Sequence, residues 1–142
     1  MLGICFFVSE PRDADIIRPT FRDWNDLGKA FGVDQKMYID PFEPPQIHYP
    51  NLTYYADLTT AMDSTSGVPW VFVEYNEPNA TSLVDFTHPT DVVYCFGSDR
   101  TPSDGEGLDA VDRTLGTWLS IPTKRSLWAN QAAAVVLGHR QF

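Results

Sequence analysis

The sequence predicts an α/β fold in which a mainly parallel sheet is flanked by helices. Short apolar runs rich in β-branched and aromatic residues recur along the chain, and such runs suit strands that are covered on both faces. Longer segments separate these runs, as the crossover connections of parallel strands require. With 142 residues, 43% of them hydrophobic, the chain is long enough for one domain with a substantial core.

The N-terminal part predicts two strands around a long helix. The first strand is Gly3–Val8 (GICFFV), which is apolar throughout. A helix is expected from about Ala14 to Phe31, because apolar residues recur there at steps of three and four. Those residues are Ile17, Phe21, Trp24, Leu27 and Phe31. Gly32 is a suitable helix end, and Lys36–Ile39 (KMYI) predicts the second strand.

The middle of the chain predicts shorter elements. Pro41–Pro50 contains four prolines and is expected to form a rigid loop. Leu52–Tyr55 predicts a short strand, and Leu58–Met62 predicts a helical turn. Pro69–Tyr75 (PWVFVEY) predicts a further buried strand, and Leu83–Phe86 is expected to pack below it.

The last third of the chain predicts two strands that end in Gly- and Ser-rich loops. Asp91–Phe96 predicts a buried strand that stops at Gly97, and Gly107–Thr114 predicts a short helix. Trp118–Ile121 predicts the last strand, and Ser126 is expected to cap a helix that continues to the end of the chain. Loops of this kind present backbone N–H and C=O groups at the carboxyl edge of a parallel sheet, which is a common place to bind a nucleoside-like ligand.

The charge balance argues against a simple nucleic-acid-binding protein. The formal net charge is −9, because 19 Asp and Glu residues outnumber 10 Lys and Arg residues. Phosphate binding usually depends on basic residues. The basic residues lie in an early and a late group, and a local basic patch would result if these groups meet in space.

Other features of the composition narrow the class of protein. No apolar run approaches the roughly 20 residues of a membrane helix, and Leu2–Val8 lacks the features of a signal peptide. A cytoplasmic protein without a membrane partner is therefore expected. Cys5 and Cys95 both lie in predicted strands and are expected to be reduced core thiols. The 3 histidines are too scattered to predict a metal site.

Three stretches of the last third carry a family resemblance. They are Phe96-Gly97-Ser98-Asp99, Gly105-Glu106-Gly107-Leu108, and Ile121-Pro122 followed by Ser126-Leu127. In this order, before a terminal Ala-rich helix, they resemble the second and third motifs of the SpoU-type SPOUT RNA methyltransferases. The resemblance implies a C-terminal trefoil knot, the cofactor S-adenosylmethionine (SAM), a homodimer, and methyl transfer to a ribose 2′-hydroxyl of tRNA or rRNA. Family members often carry an extra RNA-binding domain, whereas residues 1–142 are expected to form a single methyltransferase-like domain, and DNA is not an expected partner.

The resemblance assigns the cofactor site to two loops. The matching residues are Phe96, Gly97, Ser98, Asp99, Glu106, Gly107, Leu119, Ile121, Ser126 and Leu127. Asp99 and Glu106 are alternatives for the carboxylate contact, because Arg100–Asp104 is an insertion relative to the family pattern. The backbones of Leu119 and Ile121 are expected to read the adenine edge. A plain polar surface loop is the alternative for the first of the two loops.

Arg18 and Arg22 are the candidate catalytic residues. The resembled family carries an arginine on its first helix that helps to deprotonate or orient the 2′-hydroxyl, and that position falls near Asn25 or Asp26 in this chain. Arg18 and Arg22 lie up to two turns earlier, and residues four apart share one helix face. Because an arginine stays protonated, holding a phosphate or ribose is the expected role. Solvated charges on a helix face are the alternative.

Two other functions stay open. One is a non-catalytic SAM- or nucleotide-binding module, which the acidic charge and the weak first motif favour. The other is an ordinary doubly wound nucleotide-binding protein without a knot. Trp128 stands two positions after Ser126, where the family often has Asn. It is expected to pack at a subunit interface, and stacking on a base is the alternative.

Overall fold

The protein is built on one sheet with helices on both of its faces. The computed structural model describes residues 1–8, 14–41, 52–75, 77–97, 108 and 111–142, with the backbone alone for residues 14–21. The strands are β1 (Leu2–Phe7), β2 (Gln35–Ile39), β3 (Leu52–Tyr55), β4 (Trp70–Val73), β5 (Thr81–Ser82), β6 (Val92–Gly97) and β7 (Thr117–Ser120). Across the described residues they pair in the order β3-β2-β1-β6-β4-β7-β5, and every neighbouring pair is parallel.

Three helices cover the described sheet. Helices α1 (Ala14–Ala30) and α3 (Ala129–Gln141) contact each other on one face, and α2 (Leu58–Ser64) packs on the other. Helix α1 ends just before Gly32, whose φ of 65° is a left-handed conformation that glycine adopts readily. None of the helices in the described part of the chain has the length and apolar character of a membrane span.

Both faces of the sheet are apolar because its central strands are apolar throughout. In β6, Val92, Tyr94 and Phe96 join the core cluster under α1 and α3, whereas Val93 and Cys95 join the cluster under α2. This alternation follows from the two-residue period of a strand. It explains why continuous apolar runs, and not alternating ones, mark the strands in the sequence.

The strand order brings three carboxyl ends together. Strand β6 ends at Gly97, β4 ends at Val73 and β7 ends at Ser120, and β4 lies between the other two. All strands are parallel, so these ends lie at the same edge of the sheet. The strands that lead into the first and the last of the motif stretches, β6 and β7, therefore end at one edge of the sheet. The C-terminal trefoil knot stays a prediction.

The predicted fold class is confirmed as α/β with a parallel sheet, and most predicted elements are observed. Each predicted strand starts and ends within about two residues of an observed one. The helix predicted from Ala14 to Phe31 is α1, and the turn predicted at Leu58–Met62 is part of α2. Cys5 and Cys95 are adjacent in the register of β1 and β6, and both are buried and free.

The predicted start of the last helix is wrong. Helix α3 begins at Ala129 and has Trp128 as its N-cap, so Ser126 precedes the helix and does not cap it. The side-chain oxygen of Gln131 accepts the backbone N–H of Trp128 at 3.0 Å, which satisfies a group that a helix end leaves open. The Oγ1 of Thr123 donates to the carbonyl of Arg125 at 2.7 Å and shapes the preceding turn.

The helix predicted over Gly107–Thr114 is also wrong in its described part. Only a 3₁₀ turn, Arg113–Leu115, is found among residues 108 and 111–116. The carboxylate of Asp112 accepts both the N–H and the hydroxyl of Thr114, and such local bonds compete with helix formation. The short strand β5 was not predicted, since its two residues carry no apolar pattern.

Candidate functional site

The carboxyl end of β6 holds the first predicted cofactor residues. Phe96 is buried in the core under α1 and α3, and Gly97 is the last residue of the strand, in register with Phe7 of β1. The other predicted contacts in this loop lie outside the described residues. They are Ser98, Asp99, Glu106 and Gly107.

The carboxyl end of β7 holds the second group. Leu119 is fully buried in β7, and its carbonyl accepts the backbone N–H of Glu74 at 3.0 Å. Ile121 is the next residue but one, just past the strand, and its carbonyl accepts the N–H of Thr123 at 2.8 Å. The expected contact of these two backbones with an adenine edge stays a prediction.

Four predicted cofactor residues converge on one face of the sheet. Phe96, Leu119 and Ile121 belong to the same buried cluster, and Leu127 packs against that cluster. Ser126 is half-buried beside Leu127 in the connection between β7 and α3. The described residues of the two loops therefore lie on one face of the sheet, even though β6 and β7 are not neighbours.

Glu74 is a charged residue at this edge that sequence reasoning missed. It directly follows β4, between the ends of β6 and β7. Its Oε1 accepts the N–H of Tyr75 and its Oε2 accepts the N–H of Leu108, each at 2.9 Å. Leu108 is fully buried and is the last residue of the GEGL stretch. The sequence signal that could have identified Glu74 is its position as a carboxylate directly after a buried strand.

Arg113 binds the other side of Leu108. Its Nη1 donates to the carbonyls of Leu108 at 3.1 Å and Val111 at 2.8 Å. Its Nε and Nη2 donate to the two carboxylate oxygens of Glu77 at 3.2 and 3.1 Å. The guanidinium also lies over the ring of Trp118 in β7, 3.9 Å from its centroid. No local sequence pattern predicts this residue, because its partners are distant along the chain.

The connection between β7 and α3 is tied to the end of β4. The hydroxyl of Tyr75 donates to the carbonyl of Lys124 at 3.1 Å. The side chains of Lys124 and Arg125 are exposed, and they bring positive charge close to the candidate site. This is part of the late basic group noted in the sequence.

The predicted catalytic residues lie on α1, which contacts α3. The side chain of Arg22 is exposed, and that of Arg18 lies outside the described residues. The neighbouring Asp23 has its carboxylate 3.5 Å from the side-chain amide nitrogen of Asn130, in the first turn of α3. Arg22 is therefore near the start of α3, and its catalytic role stays a prediction. In the described ranges, no three His, Cys, Asp or Glu side chains are grouped as metal ligands.

The sequence matches no family model and no curated protein, whereas solved structures match nearly all of it. A protein from Bacillus anthracis described as a candidate RNA methyltransferase is 12% identical with a TM-score of 0.68, and the match covers 99% of this chain and 92% of that one. An rRNA methyltransferase from Sinorhizobium meliloti is 13% identical with a TM-score of 0.67, over 99% of this chain and 55% of that one.

The SpoU methyltransferase AviRb from Streptomyces viridochromogenes is 19% identical with a TM-score of 0.66, over 98% of this chain and 58% of that one. This chain thus spans little more than half of AviRb and of the Sinorhizobium meliloti protein. A second AviRb structure, in complex with the cofactor AdoMet, has a TM-score of 0.65 to this chain. Together these likenesses establish that the chain has the fold of the SpoU-type methyltransferases, as its motifs predicted.

Proposed function

We propose that this protein is a SAM-dependent RNA methyltransferase that modifies a ribose 2′-hydroxyl of tRNA or rRNA. The observation that carries the proposal is that β6 and β7, which lead into motif stretches, end at one edge of the sheet, and that Phe96, Ile121 and Leu127 share one of its faces. This edge belongs to a fold shared with RNA methyltransferases, one of them in complex with AdoMet. The proposal includes a single domain, a trefoil knot and a cytoplasmic location.

The residues present fit SAM as a ligand. Phe96, Ile121 and Leu127 supply apolar side chains beside the strand ends, and the loops supply backbone polar groups that suit an adenine and an amino-acid moiety. Phe96, Gly97, Leu119, Ile121, Ser126 and Leu127 are the described residues proposed to hold it, together with Ser98, Asp99, Glu106 and Gly107. When bound, SAM supplies an electrophilic methyl group.

The protein's own contribution is to hold the acceptor hydroxyl in line and to bind the RNA backbone. Arg22, and with it Arg18, is proposed to bind the phosphate or ribose next to the site. An arginine keeps its proton, so it stabilises negative charge and does not act as a base. The exposed Lys124 and Arg125 are proposed to add phosphate contacts on the same side of the molecule.

A homodimer is part of the proposal. Trp128 and Phe142 are the N-cap and C-cap of α3, and Val135 lies halfway between them in the helix; all three are large apolar residues that are exposed. We refer to these residues as the α3 stripe. The opposite face of α3 is buried in the core through Ala133, Val136 and other residues. Large apolar residues left exposed at both ends and at the middle of one helix suit a surface that a second copy covers.

A non-catalytic SAM-binding module is the second candidate. The net charge of −9 favours it, because acidic surfaces repel RNA. The lack of an arginine at the family's position on the first helix, near Asn25 or Asp26, favours the non-catalytic module as well. Both candidates require SAM binding, and only the first requires methyl transfer.

Two measurements test the proposal. Calorimetry with SAM and with its demethylated product is expected to give micromolar affinity, on the order of −8 kcal/mol, and a Gly97→Val variant is expected to lose it because a side chain blocks close backbone approach. Incubation with labelled SAM and total RNA is expected to yield 2′-O-methylated nucleosides. Binding without transfer would leave the non-catalytic module, and no binding to the folded protein would contradict both candidates.

A further inference from the structure

We propose that Glu74 and Arg113 are positioning residues for the cofactor, because they grip the backbone of Leu108 from both sides. We refer to these two side chains and the Leu108 backbone as the Leu108 clamp. The inference rests on the proposed function, since Leu108 closes the GEGL stretch that resembles a cofactor motif. It adds two residues from outside the matched motifs to the site.

In the Leu108 clamp, a negatively charged side chain binds the backbone N–H of Leu108 and a positively charged side chain binds its backbone carbonyl. The carboxylate of Glu74 accepts the N–H of Leu108 at 2.9 Å, and the guanidinium of Arg113 donates to its carbonyl at 3.1 Å. Leu108 is fully buried, so both groups need partners within the protein. Bonds with an ionised partner are the stronger kind.

Both halves of the clamp are anchored to the sheet. Glu74 follows the last residue of β4, and its backbone N–H bonds to the carbonyl of Leu119 in β7. Arg113 lies over the ring of Trp118 in β7, and its own carbonyl accepts the indole N–H of Trp118 at 3.1 Å. The clamp therefore sets the position of Leu108 relative to the ends of β4 and β7.

This placement connects the two halves of the proposed site. Leu119 and Ile121, at the end of β7, are the residues proposed to meet the adenine, whereas Leu108 closes the other motif. A shift of Leu108 relative to β7 changes the distance between the two groups of cofactor contacts. Affinity for SAM is expected to depend on the clamp, although neither Glu74 nor Arg113 is proposed to touch the methyl group or the RNA.

The first test is Glu74→Gln, which replaces one of two acceptor oxygens by an amide. The neutral side chain no longer accepts both the Tyr75 and Leu108 N–H groups through oxygen, and the dissociation constant for SAM is expected to rise about 10-fold or more. The matched control is Asp34→Asn. The carboxylate of Asp34 accepts the N–H of Leu2 at 2.7 Å at the opposite edge of the sheet, and this control should keep the parent affinity.

The second test is Arg113→Lys, which keeps the charge but loses the planar fork of donors. Affinity for SAM is expected to fall by a similar factor. The matched control is Arg140→Lys, because Arg140 also donates to two successive backbone carbonyls, those of Pro89 and Thr90, at the amino edge of the sheet. Arg113 is 39% exposed, so this variant keeps the proposal testable if Glu74→Gln does not fold.

Steady-state kinetics separate positioning from a loss of folded protein. The clamp variants are expected to raise the KM for SAM with kcat nearly unchanged, whereas partial unfolding lowers the apparent kcat and leaves KM alone. Parent-like KM and Kd in both clamp variants would overturn the inference and leave the proposed function standing. A parent that binds neither SAM nor its demethylated product would overturn both.

Discussion

Two arginines beside the candidate site differ in what surrounds them. Arg113 contacts two carbonyls, the carboxylate of Glu77 and the ring of Trp118, so its charge serves the protein's own structure. Arg22 is exposed on α1, near the first turn of α3. An exposed cation at a strand-end site is the better candidate for a phosphate contact.

Arg22→Ala is expected to cut methyl transfer about 10²-fold, which is on the order of 3 kcal/mol of barrier. The reason is the loss of a group that holds the RNA next to the methyl donor. SAM binding should stay close to that of the parent, as calorimetry would show. Arg18→Ala is expected to act in the same direction.

Lys29→Ala provides the matched control for the arginine variants. Lys29 is an exposed cation in the last turn of the same helix, so its removal changes the net charge by the same amount but far from the start of α1. Methylation by this variant should match the parent. Parent-level rates in both Arg18→Ala and Arg22→Ala would show that the catalytic group lies elsewhere.

At the scale of elements, the C-terminal end of α3 is joined to the segment before β6. The Nε2 of His88 lies 2.7 Å from the Nδ1 of His139, and the other ring nitrogen of His88 bonds to the hydroxyl of Tyr94 in β6. Arg140 lies beside this pair of rings and donates to the carbonyls of Pro89 and Thr90. Burial lowers the pKa of His88, and His139 and Arg140 lower that pKa further.

The stability of the protein is therefore expected to fall in mild acid. Because the folded pKa of His88 lies below its unfolded value, the unfolded chain binds the extra proton more readily. The stabilising contribution is present above the unfolded pKa and is lost as pH falls through the folded one, so denaturant unfolding should show a decline as the pH falls below the ordinary histidine pKa of about 6.5. His88→Gln should flatten this decline. Parallel pH profiles of the parent and His88→Gln would contradict the assignment.

The elements differ in how well the sequence predicts them. β1, β4 and β6 are continuous apolar runs, and such runs identify strands covered on both faces wherever they pair. The start of α3 depends instead on a hydrogen bond from the backbone N–H of Trp128 to the side chain of Gln131. This bond makes Trp128 the N-cap in place of Ser126. A local sequence pattern does not decide which of two nearby residues caps a helix.

The sequence offered candidate site residues only where they are consecutive in motifs, and it did not offer residues that reach these motifs from distant parts of the chain. Glu74 reaches Leu108 across 34 residues, and Arg113 reaches Glu77 across 36. The contact exists only because the strand order places β4 between β6 and β7. Periodicity along the chain predicts strands but not their order in the sheet. The contacts of Glu74 and Arg113 with Leu108 could therefore be found only in the folded structure.

For the whole molecule, the acidic net charge has to be reconciled with the proposed binding of RNA. A net charge of −9 disfavours RNA over most of the surface. Lys124 and Arg125 are exposed in the connection before α3, and Arg22 is exposed on α1, which contacts α3. These are the cations proposed to contact RNA. A second copy of the chain placed against α3 would bring two such regions together and widen the surface available to a folded RNA.

The α3 stripe predicts that second copy. Trp128 and Val135 are 39% and 41% exposed, and Phe142 is 96% exposed, although all three are large apolar residues. Light scattering is expected to give a mass about twice the 16.0 kDa of the chain, and Val135→Glu should shift it toward the monomer by placing a charge in the buried seam. Val84→Glu is the matched control, because Val84 is 73% exposed in the 3₁₀ turn after β5 and lies outside the stripe. A mass near 16.0 kDa for the parent over a wide concentration range would contradict the dimer.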